Sequence, residues 1–368
     1  MRKGIIALAA VGGLLATGSL AACGDDSSGS GSSGGSSAST AGKVGVILPD
    51  TASSARWATD DLKYLKAAFE AAGVQADIQN AQGDKAQFQT IADGMISSGV
   101  KVLMIVNLDS GTGKAVLDKA KKAGIATIDY DRLTLSGGAN YYVSFDNVKV
   151  GELQGQGLVD CLTAKKYTKP KVAEVNGSPT DNNATLFAQG YNSVLDPKYA
   201  DGTYVKGPNQ SVPDWDNAQG GTIFEQMLTA NKDIKGVLAA NDGLGNAVIS
   251  QLKKAKLNGQ VPVTGQDATV QGLQNILTGD QCMTVYKAIK QEADAAAGLA
   301  ISLAKGEQPT TATGTTTDPE SKASIPSVLL VPKSITAETV KDVVADGFVK
   351  KEELCAGSYA TLCTKYGI

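Results

Sequence analysis

The stretch KVGVILPDTASSARWATDDLKYLKAAFEAAGVQADI, residues 43–78, decides the fold. It opens with a short apolar and β-branched run at 43–49, which is typical of a buried strand. Apolar residues then recur with helical spacing over 57–72, and Gly73 follows, a residue that favours the end of a helix. A second apolar run comes at once, at 74–78. The stretch therefore predicts one strand–helix–strand unit.

The same unit recurs along the rest of the chain. The predicted strands are 43–49, 74–78, 101–106, 125–129, 171–175, 203–206, 234–239, 261–264, 283–286 and 328–331. The predicted helices are 57–72, 85–98, 114–123, 147–162, 184–195, 217–230, 245–255, 270–278 and 288–305. Alternation of this kind indicates an α/β protein with parallel sheets. Since these units are too many for one compact open sheet, we expect two doubly wound, Rossmann-like lobes.

The amino terminus has the pattern of an export signal. Arg2 and Lys3 precede an apolar run of small residues at 5–20, so residues 1–22 are predicted to be a signal peptide. The sequence LAAC that ends at Cys23 resembles the bacterial lipobox, in which the Cys is acylated and becomes the new N-terminus. An ordinary signal peptide with a chance Cys is the alternative. A transmembrane helix fits less well, because the run is shorter than about 20 residues and rich in Gly.

The residues after Cys23 predict a tethered, exported domain. Residues 23–42 are almost wholly Ser, Gly, Ala and Asp, a composition that behaves as a flexible tether. We therefore expect a protein that is lipid-anchored to the outer face of the cell membrane. The formal net charge of −3 includes no basic block, which argues against a nucleic-acid partner. The chain has no His, so it lacks the commonest general base and the commonest metal ligand.

Four Cys follow Cys23. We favour a disulfide between Cys355 and Cys363, because they lie close together in an exported chain. A bridge between Cys161 and Cys282 is also possible, but sequence cannot test its geometry. A zinc site is the weaker interpretation, because no Cys-x-x-Cys spacing is present.

Polar and aromatic side chains follow the predicted strands. Ligands of open parallel sheets bind beyond the carboxyl ends of the strands. The residues there are Arg56, Trp57, Asn107, Asp131, Arg132, Asp146, Asn147, Asp181, Asn182, Asn183, Trp215, Asn241, Asp242, Gln266, Asp267 and Lys287. Carboxylates accept hydrogen bonds from hydroxyl pairs, cations donate, amides do both, and Trp covers the apolar face of a pyranose. The pattern indicates a sugar site.

Two scarce residue types support this site. After the signal peptide the chain has only two Arg and two Trp, and all four follow predicted strands. Arg supplies a rigid planar donor fork that the abundant Lys does not. Structural roles are the alternative at several positions. Asp146 and Asn147 are expected to cap a helix, as is Asp242, whereas Asn241 and Asp267 are expected to contact the ligand.

Several segments together resemble a known family. They are SSARWATD (53–60), DYDRL (129–133), YYVSFDNVKVGELQG (141–155), NGSPTDNNATLF (176–187), AANDG (239–243), TGQDA (264–268) and MTVYK (283–287). In this order they resemble the type I periplasmic sugar-binding proteins of ABC importers, xylose-binding members above all. The opening loop also resembles that of glucose-, galactose- and arabinose-binding relatives. The resemblance covers nearly all of 43–354.

The resemblance implies a ligand set and no enzymatic activity. The implied ligand-binding residues are Arg56, Trp57, Asp131, Arg132, Asp181, Asn183, Trp215, Asn241, Asp267 and Lys287. The two indoles would stack on opposite faces of the sugar. The implied partners are a monosaccharide and the permease subunits in the membrane. The protein is expected to be a monomer, without cofactor or metal.

The resemblance also implies the type I periplasmic-binding-protein fold, whose chain crosses between lobes three times. We expect these crossings near Asp146, Lys287 and Ser324. The N-terminal lobe would then be 43–146 plus 288–324, and the C-terminal lobe 147–287 plus 325–354. A C-terminal extension, 355–368, goes beyond the family pattern.

Three other functions are weighed against capture of a sugar for import. A glycosidase would need paired carboxylates, for which Asp181 and Asp267 are the candidates. A sugar-responsive repressor would need an N-terminal DNA-binding headpiece, where this chain has an export signal. A receptor subunit that presents sugar to a membrane sensor is not distinguished from a transport protein by sequence.

Overall fold

The computed structural model describes residues 41–368. The predicted signal peptide, the lipidation site Cys23 and the tether as far as residue 40 lie outside the described residues. The backbone N–H of Gly42 donates to the carbonyl of Ala304 at 2.8 Å, so the folded part includes the last residue assigned to the tether. Within 41–368, no helix combines the length and apolar character needed to cross a membrane.

Strands and helices alternate through most of the described chain. The strands are β1 (Val44–Leu48), β2 (Ala76–Asn80), β3 (Val102–Ile105), β4 (Ala126–Tyr130), β5 (Tyr141–Phe145), β6 (Lys171–Asn176), β7 (Val205–Ser211), β8 (Ile234–Ala239), β9 (Thr284–Tyr286), β10 (Gly314–Thr317), β11 (Ser324–Leu330) and β12 (Lys333–Ile335). The α-helices are α1 (Asp60–Ala71), α2 (Lys85–Ser97), α3 (Ser110–Lys122), α4 (Asn147–Ala164), α5 (Asn182–Ala200), α6 (Asn217–Ala230), α7 (Asp242–Lys254), α8 (Val270–Thr278), α9 (Ile289–Ala304), α10 (Val340–Ala345), α11 (Lys351–Leu354) and α12 (Ala360–Lys365).

The first sheet has helices on both faces. Its seven strands run in the order β10-β11-β5-β4-β3-β1-β2, and all pairs are parallel except β10 with β11. Successive side chains of a strand point to opposite faces. Val46 accordingly joins the core that includes Phe69 of α1, whereas Ile47 joins the core that includes Phe88 of α2. The double covering explains why every residue of β1 is buried.

The second sheet is built around β6. Its parallel strands run in the order β7-β6-β8, and a separate antiparallel pair, β9 with β12, lies beyond them. Isolated parallel bridges from Val237 to Val263 and from Gln266 to Val285 link the two groups. The predicted strand at 261–264 is therefore wrong as a strand, since it pairs at one residue only.

The strand pairing locates the crossings between the two sheets. β5 ends in the first sheet and α4 packs on α5 and β8, so one crossing falls at Asp146. β9 belongs to the second group and α9 packs on the first sheet, so another falls at 287–288. The third crossing predicted near Ser324 is wrong, because β11 pairs with β5 as far as Leu330. That crossing lies at 331–332, and the first lobe gains β11.

The C-terminal residues pack against the second lobe. Leu354 and Cys363 are buried in one apolar cluster with Leu273 and Ile276 of α8. The structure joins Cys355 to Cys363 in a disulfide. It also joins Cys161 of α4 to Cys282, the pairing that sequence left open.

Replacing Cys355 and Cys363 by Ser is expected to lower the free energy of unfolding by roughly 2–3 kcal/mol. The bridge closes a short loop, with a sequence separation of 8, and the loss of stability scales with the logarithm of loop length. Urea denaturation measures the change. The single variant Cys355→Ser should lose as much as the double variant, and a double variant as stable as the wild type would contradict the expectation.

Candidate functional site

A cavity of about 320 Å³ lies where loops of the two sheets face each other. Its walls contain all ten side chains predicted to bind ligand, which are Arg56, Trp57, Asp131, Arg132, Asp181, Asn183, Trp215, Asn241, Asp267 and Lys287. The structure therefore brings the whole predicted set together.

The strand ends explain why these residues meet. The loop with Arg56 follows β1, Asp131 follows β4, Asp181 follows β6, and Asn241 follows β8. Lys287 comes directly after β9. Since parallel strands end at the same edge of a sheet, residues far apart in sequence are carried to one place. The two edges face each other across the cavity.

Arg56 is held by carboxylates of the protein. Its Nε and Nη2 donate to Asp61 at 2.7 Å each, its Nη1 donates to Asp131 at 2.7 Å, and its Nη2 donates to Glu292 at 2.5 Å. The guanidinium is buried. Four of its five N–H donors are used in this way. Arg56 therefore positions Asp131 at the cavity more than it offers donors to a ligand.

Arg132 links the two lobes. Its Nε lies 3.0 Å from Oδ2 of Asp181, and its Nη1 donates to the carbonyl of Asn107 at 3.1 Å. Asp181 also accepts a hydrogen bond from the indole Nε1 of Trp215 at 3.1 Å, and it caps α5 through the backbone N–H of Asn183 at 2.9 Å. A fixed carboxylate thus stands beside a fixed guanidinium and an indole edge.

Asp131 meets Asn183 across the interface between the lobes. The Nδ2 of Asn183 donates to Oδ1 and to the backbone carbonyl of Asp131, at 3.0 Å each. The Oδ1 of Asn183 accepts from Nδ2 of Asn147 at 2.9 Å. Burial by itself would raise the pKa of Asp131, but Arg56, Lys287 and Arg132 outweigh it and hold that pKa below its ordinary value. Asp131 is consequently an ionised acceptor.

A second set of contacts closes the other side of the cavity. Nζ of Lys287 lies 3.1 Å from Oδ1 of Asp267, and Oγ of Ser54 donates to Oδ2 of the same carboxylate at 3.1 Å. Asn241 is the N-cap of α7, since its Oδ1 accepts from the backbone N–H of Leu244 at 2.9 Å. Its Nδ2 donates to the carbonyl of Ser53 at 3.2 Å. Asn241 thus caps α7 and also lines the cavity.

The two indoles lie on opposite lobes and are more buried than a surface stacking residue. Trp57 is 3% exposed and Trp215 is 5% exposed. The guanidinium carbon of Arg56 lies 4.2 Å from the ring centre of Trp57, a cation–π distance. Trp215 packs edge-on against Phe187, with ring centres 6.4 Å apart. Each indole is therefore fixed in orientation before any ligand is considered.

Three site residues have left-handed backbone conformations. Asp131 has φ 61°, Trp215 has φ 57° and Asp267 has φ 97°. Such conformations cost non-glycine residues of the order of 1–3 kcal/mol and concentrate at ligand sites. These conformations direct the three side chains towards the cavity, whereas an extended backbone would direct them elsewhere.

Four residues that line the cavity were not predicted from the sequence to contact the ligand. They are Ser53, Ser54, Phe187 and Gln266. Each lies inside one of the quoted family-like segments, and Gln266 also follows a predicted strand, so a signal was present for all four. The prediction that Asp242 caps a helix is wrong for α7, which is capped by Asn241. The buried carboxylate of Asp242 accepts from Thr269, Gln281 and Thr284 instead, and burial raises its pKa to about 7.

The arrangement suits neutral polyols. Asp131, Asp181 and Asp267 supply acceptors, Arg132 and Lys287 supply donors, and the indoles supply apolar faces. Among residues 41–368, no group of acidic or sulfur side chains is placed to hold a metal ion.

Comparison with known proteins identifies the family. The family model for a periplasmic binding protein domain matches residues 44–308. The D-xylose-binding periplasmic protein of Escherichia coli (strain K12) is 36% identical over 314 residues, which cover 85% of this chain and 92% of the relative. This chain belongs to the type I periplasmic sugar-binding family. The multiple sugar-binding periplasmic receptor ChvE of Rhizobium radiobacter is 35% identical over 329 residues, with the same two coverages of 85% and 92%.

Solved structures of the family agree with the fold. A carbohydrate transporter solute binding protein from Chloroflexus aurantiacus, in complex with D-glucose, superposes with a TM-score of 0.76 at 29% identity. The superposition covers 84% of this chain and 97% of the other. The two doubly wound lobes expected from sequence are thus the fold of this type I periplasmic sugar-binding protein.

Proposed function

We propose that this protein captures one aldopyranose, D-xylose in the first place, between its two lobes and delivers it to an ABC importer. An open form would bind the sugar, and closure of the lobes would present a surface that the permease subunits recognise. Binding then involves no change in the sugar, and the protein acts as a monomer.

One observation carries the proposal. The only two Arg and the only two Trp after the signal peptide lie around a single cavity, together with three carboxylates, two Asn and Lys287. Contacts between Asp131 and Asn183 and between Arg132 and Asp181 join the lobes around it. A sugar that replaces or bridges such contacts would favour the closed form, because its binding energy is available only when both lobes contribute.

The choice of xylose rests on relatives. The relative from Escherichia coli is named for D-xylose, whereas that from Rhizobium radiobacter is named for several sugars and the structure from Chloroflexus aurantiacus holds D-glucose. We therefore propose xylose as the preferred ligand and treat a broader range of aldoses as the competing outcome.

A glycosidase is a weaker proposal for this site. The candidate carboxylates are already committed, Asp181 to Arg132 and Trp215, and Asp267 to Lys287 and Ser54. A general acid must instead approach the glycosidic oxygen with a proton to donate. The relatives in the comparisons are also named as binding proteins.

Export and anchoring belong to the same proposal. The basic start, the apolar run and the LAAC sequence ending at Cys23 support a lipoprotein on the outer face of the membrane. A lipid at Cys23 and the Ser- and Gly-rich residues after it would keep the lobes near the permease.

A thermal-shift screen over xylose, ribose, arabinose, glucose and galactose tests the proposal. Xylose is expected to raise the melting temperature most, because a ligand that binds only the folded state stabilises it by RT ln(1 + L/Kd), where L is the ligand concentration, and this is largest for the tightest ligand at equal concentration. Titration calorimetry should then give a dissociation constant in the micromolar range or below, which corresponds to a binding free energy of about −8 kcal/mol or more negative. Equal shifts with several aldoses would replace xylose by a broader sugar class, and no shift with any of them would refute the proposal.

A further inference from the structure

A second opening lies against the first cavity. It holds about 740 Å³ of empty space, and its walls come from both lobes. Ser53, Arg132, Asp181 and Trp215 line this groove as well as the cavity. The two spaces are therefore neighbours that share these four wall residues.

The dividing wall is made of polar contacts between the lobes. Arg132 lies 3.0 Å from Asp181, and its Nη2 donates to Oγ of Ser53 at 3.4 Å. A ring that these side chains bind in the cavity has one edge at this wall. A substituent on that edge reaches the groove only when the 3.4 Å contact between Arg132 and Ser53 opens.

The groove has polar groups that the described residues leave unused. Gln82 and Asp214 are exposed to solvent, and within 41–368 the carboxylate of Asp214 takes part in no hydrogen bond or ion pair, while the side-chain amide N–H groups of Gln82 donate to no acceptor. Asp214 is held at the groove, since it has φ 52° and its backbone N–H donates to Oγ of Ser178 at 3.1 Å. One lobe thus presents a free acceptor and the other a free donor.

The remaining lining indicates a neutral ligand with an apolar face. Leu108 and Trp215 supply apolar surface. The ammonium of Lys85 is 3.0 Å from Asp109, and the carboxylates of Asp50 and Asp214 both lie on the groove wall without an ion-pair partner among the described residues. A carboxylate there disfavours anions, whereas hydroxyl groups and the C–H face of a pyranose match an acceptor, an amide and an indole.

We propose that the groove is a subsite for a second sugar ring, so that the protein also binds neutral disaccharides. The inference rests on the proposed function, because the first ring would occupy the cavity. The groove encloses more empty space than the cavity, about 740 against 320 Å³ with open solvent counted in both, and this space lies outside the position of the first ring.

Titration calorimetry with a matched pair of ligands tests the subsite. Xylose is compared with xylobiose, and if the screen selects another aldose, glucose is compared with cellobiose or galactose with lactose. The wild type is expected to bind the disaccharide within about tenfold of the monosaccharide. Chromatography of the recovered ligand establishes that the disaccharide stays intact.

The variant Gln82→Gly/Asp214→Gly separates the two sites. Gln82 has φ 55° and Asp214 φ 52°, and Gly adopts such angles without a steric penalty, so the loops keep their course. Monosaccharide affinity should stay within twofold, while disaccharide affinity should fall roughly tenfold with the loss of two hydrogen bonds. Monosaccharide binding without disaccharide binding, or an equal loss for both ligands, would overturn the subsite alone. Failure of the proposed function would show instead as no response to any monosaccharide.

Discussion

The Arg132→Ala variant is expected to lose sugar affinity by roughly 10- to 100-fold. Arg132 is 6% exposed, and its guanidinium lies 3.0 Å from Asp181 and lines the cavity. A hydrogen bond between a charged protein group and the sugar contributes about 1.5–3 kcal/mol to binding. Each 1.4 kcal/mol corresponds to about tenfold in the dissociation constant. Titration calorimetry with the best sugar of the screen measures the loss.

The unliganded Arg132→Ala protein should melt close to the wild type. Asp181 keeps two donors without the guanidinium, Nε1 of Trp215 and the backbone N–H of Asn183, so it is not left unpaired. Arg132→Lys is the graded control, because it keeps the charge and loses the planar donor fork. Its sugar affinity should lie between those of the wild type and Arg132→Ala. If unliganded Arg132→Ala collapses, Arg132 is a structural residue. If it binds sugar like the wild type, Arg132 is not a ligand contact.

Trp215 is a poorer probe of the same site than its sequence suggests. As a residue beside polar neighbours it predicts a stacking side chain that can be removed without loss of stability. In the structure it belongs to the apolar core of the second lobe, against Phe187 and over Gly177. Trp215→Ala would leave a cavity there, and large aromatic residues in cores typically contribute several kcal/mol. A loss of binding in that variant would mix the two effects.

Regular elements could be predicted from sequence where one pattern acted alone. The helix at Asn217–Ala230 and the strand at Ile234–Ala239 have the predicted bounds, because helical spacing and an apolar run are unambiguous there. Strands such as β10 were missed, since its Thr-rich sequence is mostly exposed and pairs only with β11. The crossing at 331–332 depends on the same long-range pairing, which local patterns do not show.

The site could be predicted as a set of positions, but the roles within it could not. The rule that ligands bind beyond strand ends selects Arg56 and Asp131 as well as Arg132 and Lys287. It does not reveal that Arg56 faces Glu292, a residue 236 positions away in sequence. Residue types therefore locate the cavity, whereas the partner of each charge emerges only from the fold.

Arg56→Met is expected to lower the free energy of unfolding by about 3–5 kcal/mol. Arg56 is 4% exposed, and its guanidinium bonds three carboxylates, of which Asp61 and Glu292 are fully buried. Breaking a buried ion pair by removing one partner leaves uncompensated charge in a low-dielectric interior. Met has similar length and no charge, which limits the effect of lost packing. Urea denaturation at pH 7 measures the change, and the sugar should also bind more weakly because Asp131 loses its partner.

Glu292→Gln is the matched control for this charge cluster. Burial raises the pKa of Glu292 to about 8, with Arg56 opposing the shift and Asp131 and Asp61 adding to it, because one guanidinium cannot neutralise three carboxylates. The pKa of Glu292 in the folded state lies above the ordinary value of 4.5. Its contribution to the free energy of unfolding is therefore fully present below pH 4.5 and declines as the pH rises towards 8. Glu292→Gln should remove that decline and cost far less stability than Arg56→Met. An Arg56→Met protein as stable as the wild type would show that Arg56 does not hold the buried carboxylates together. A Glu292→Gln protein with the wild-type pH dependence would show that Glu292 does not titrate with a raised pKa.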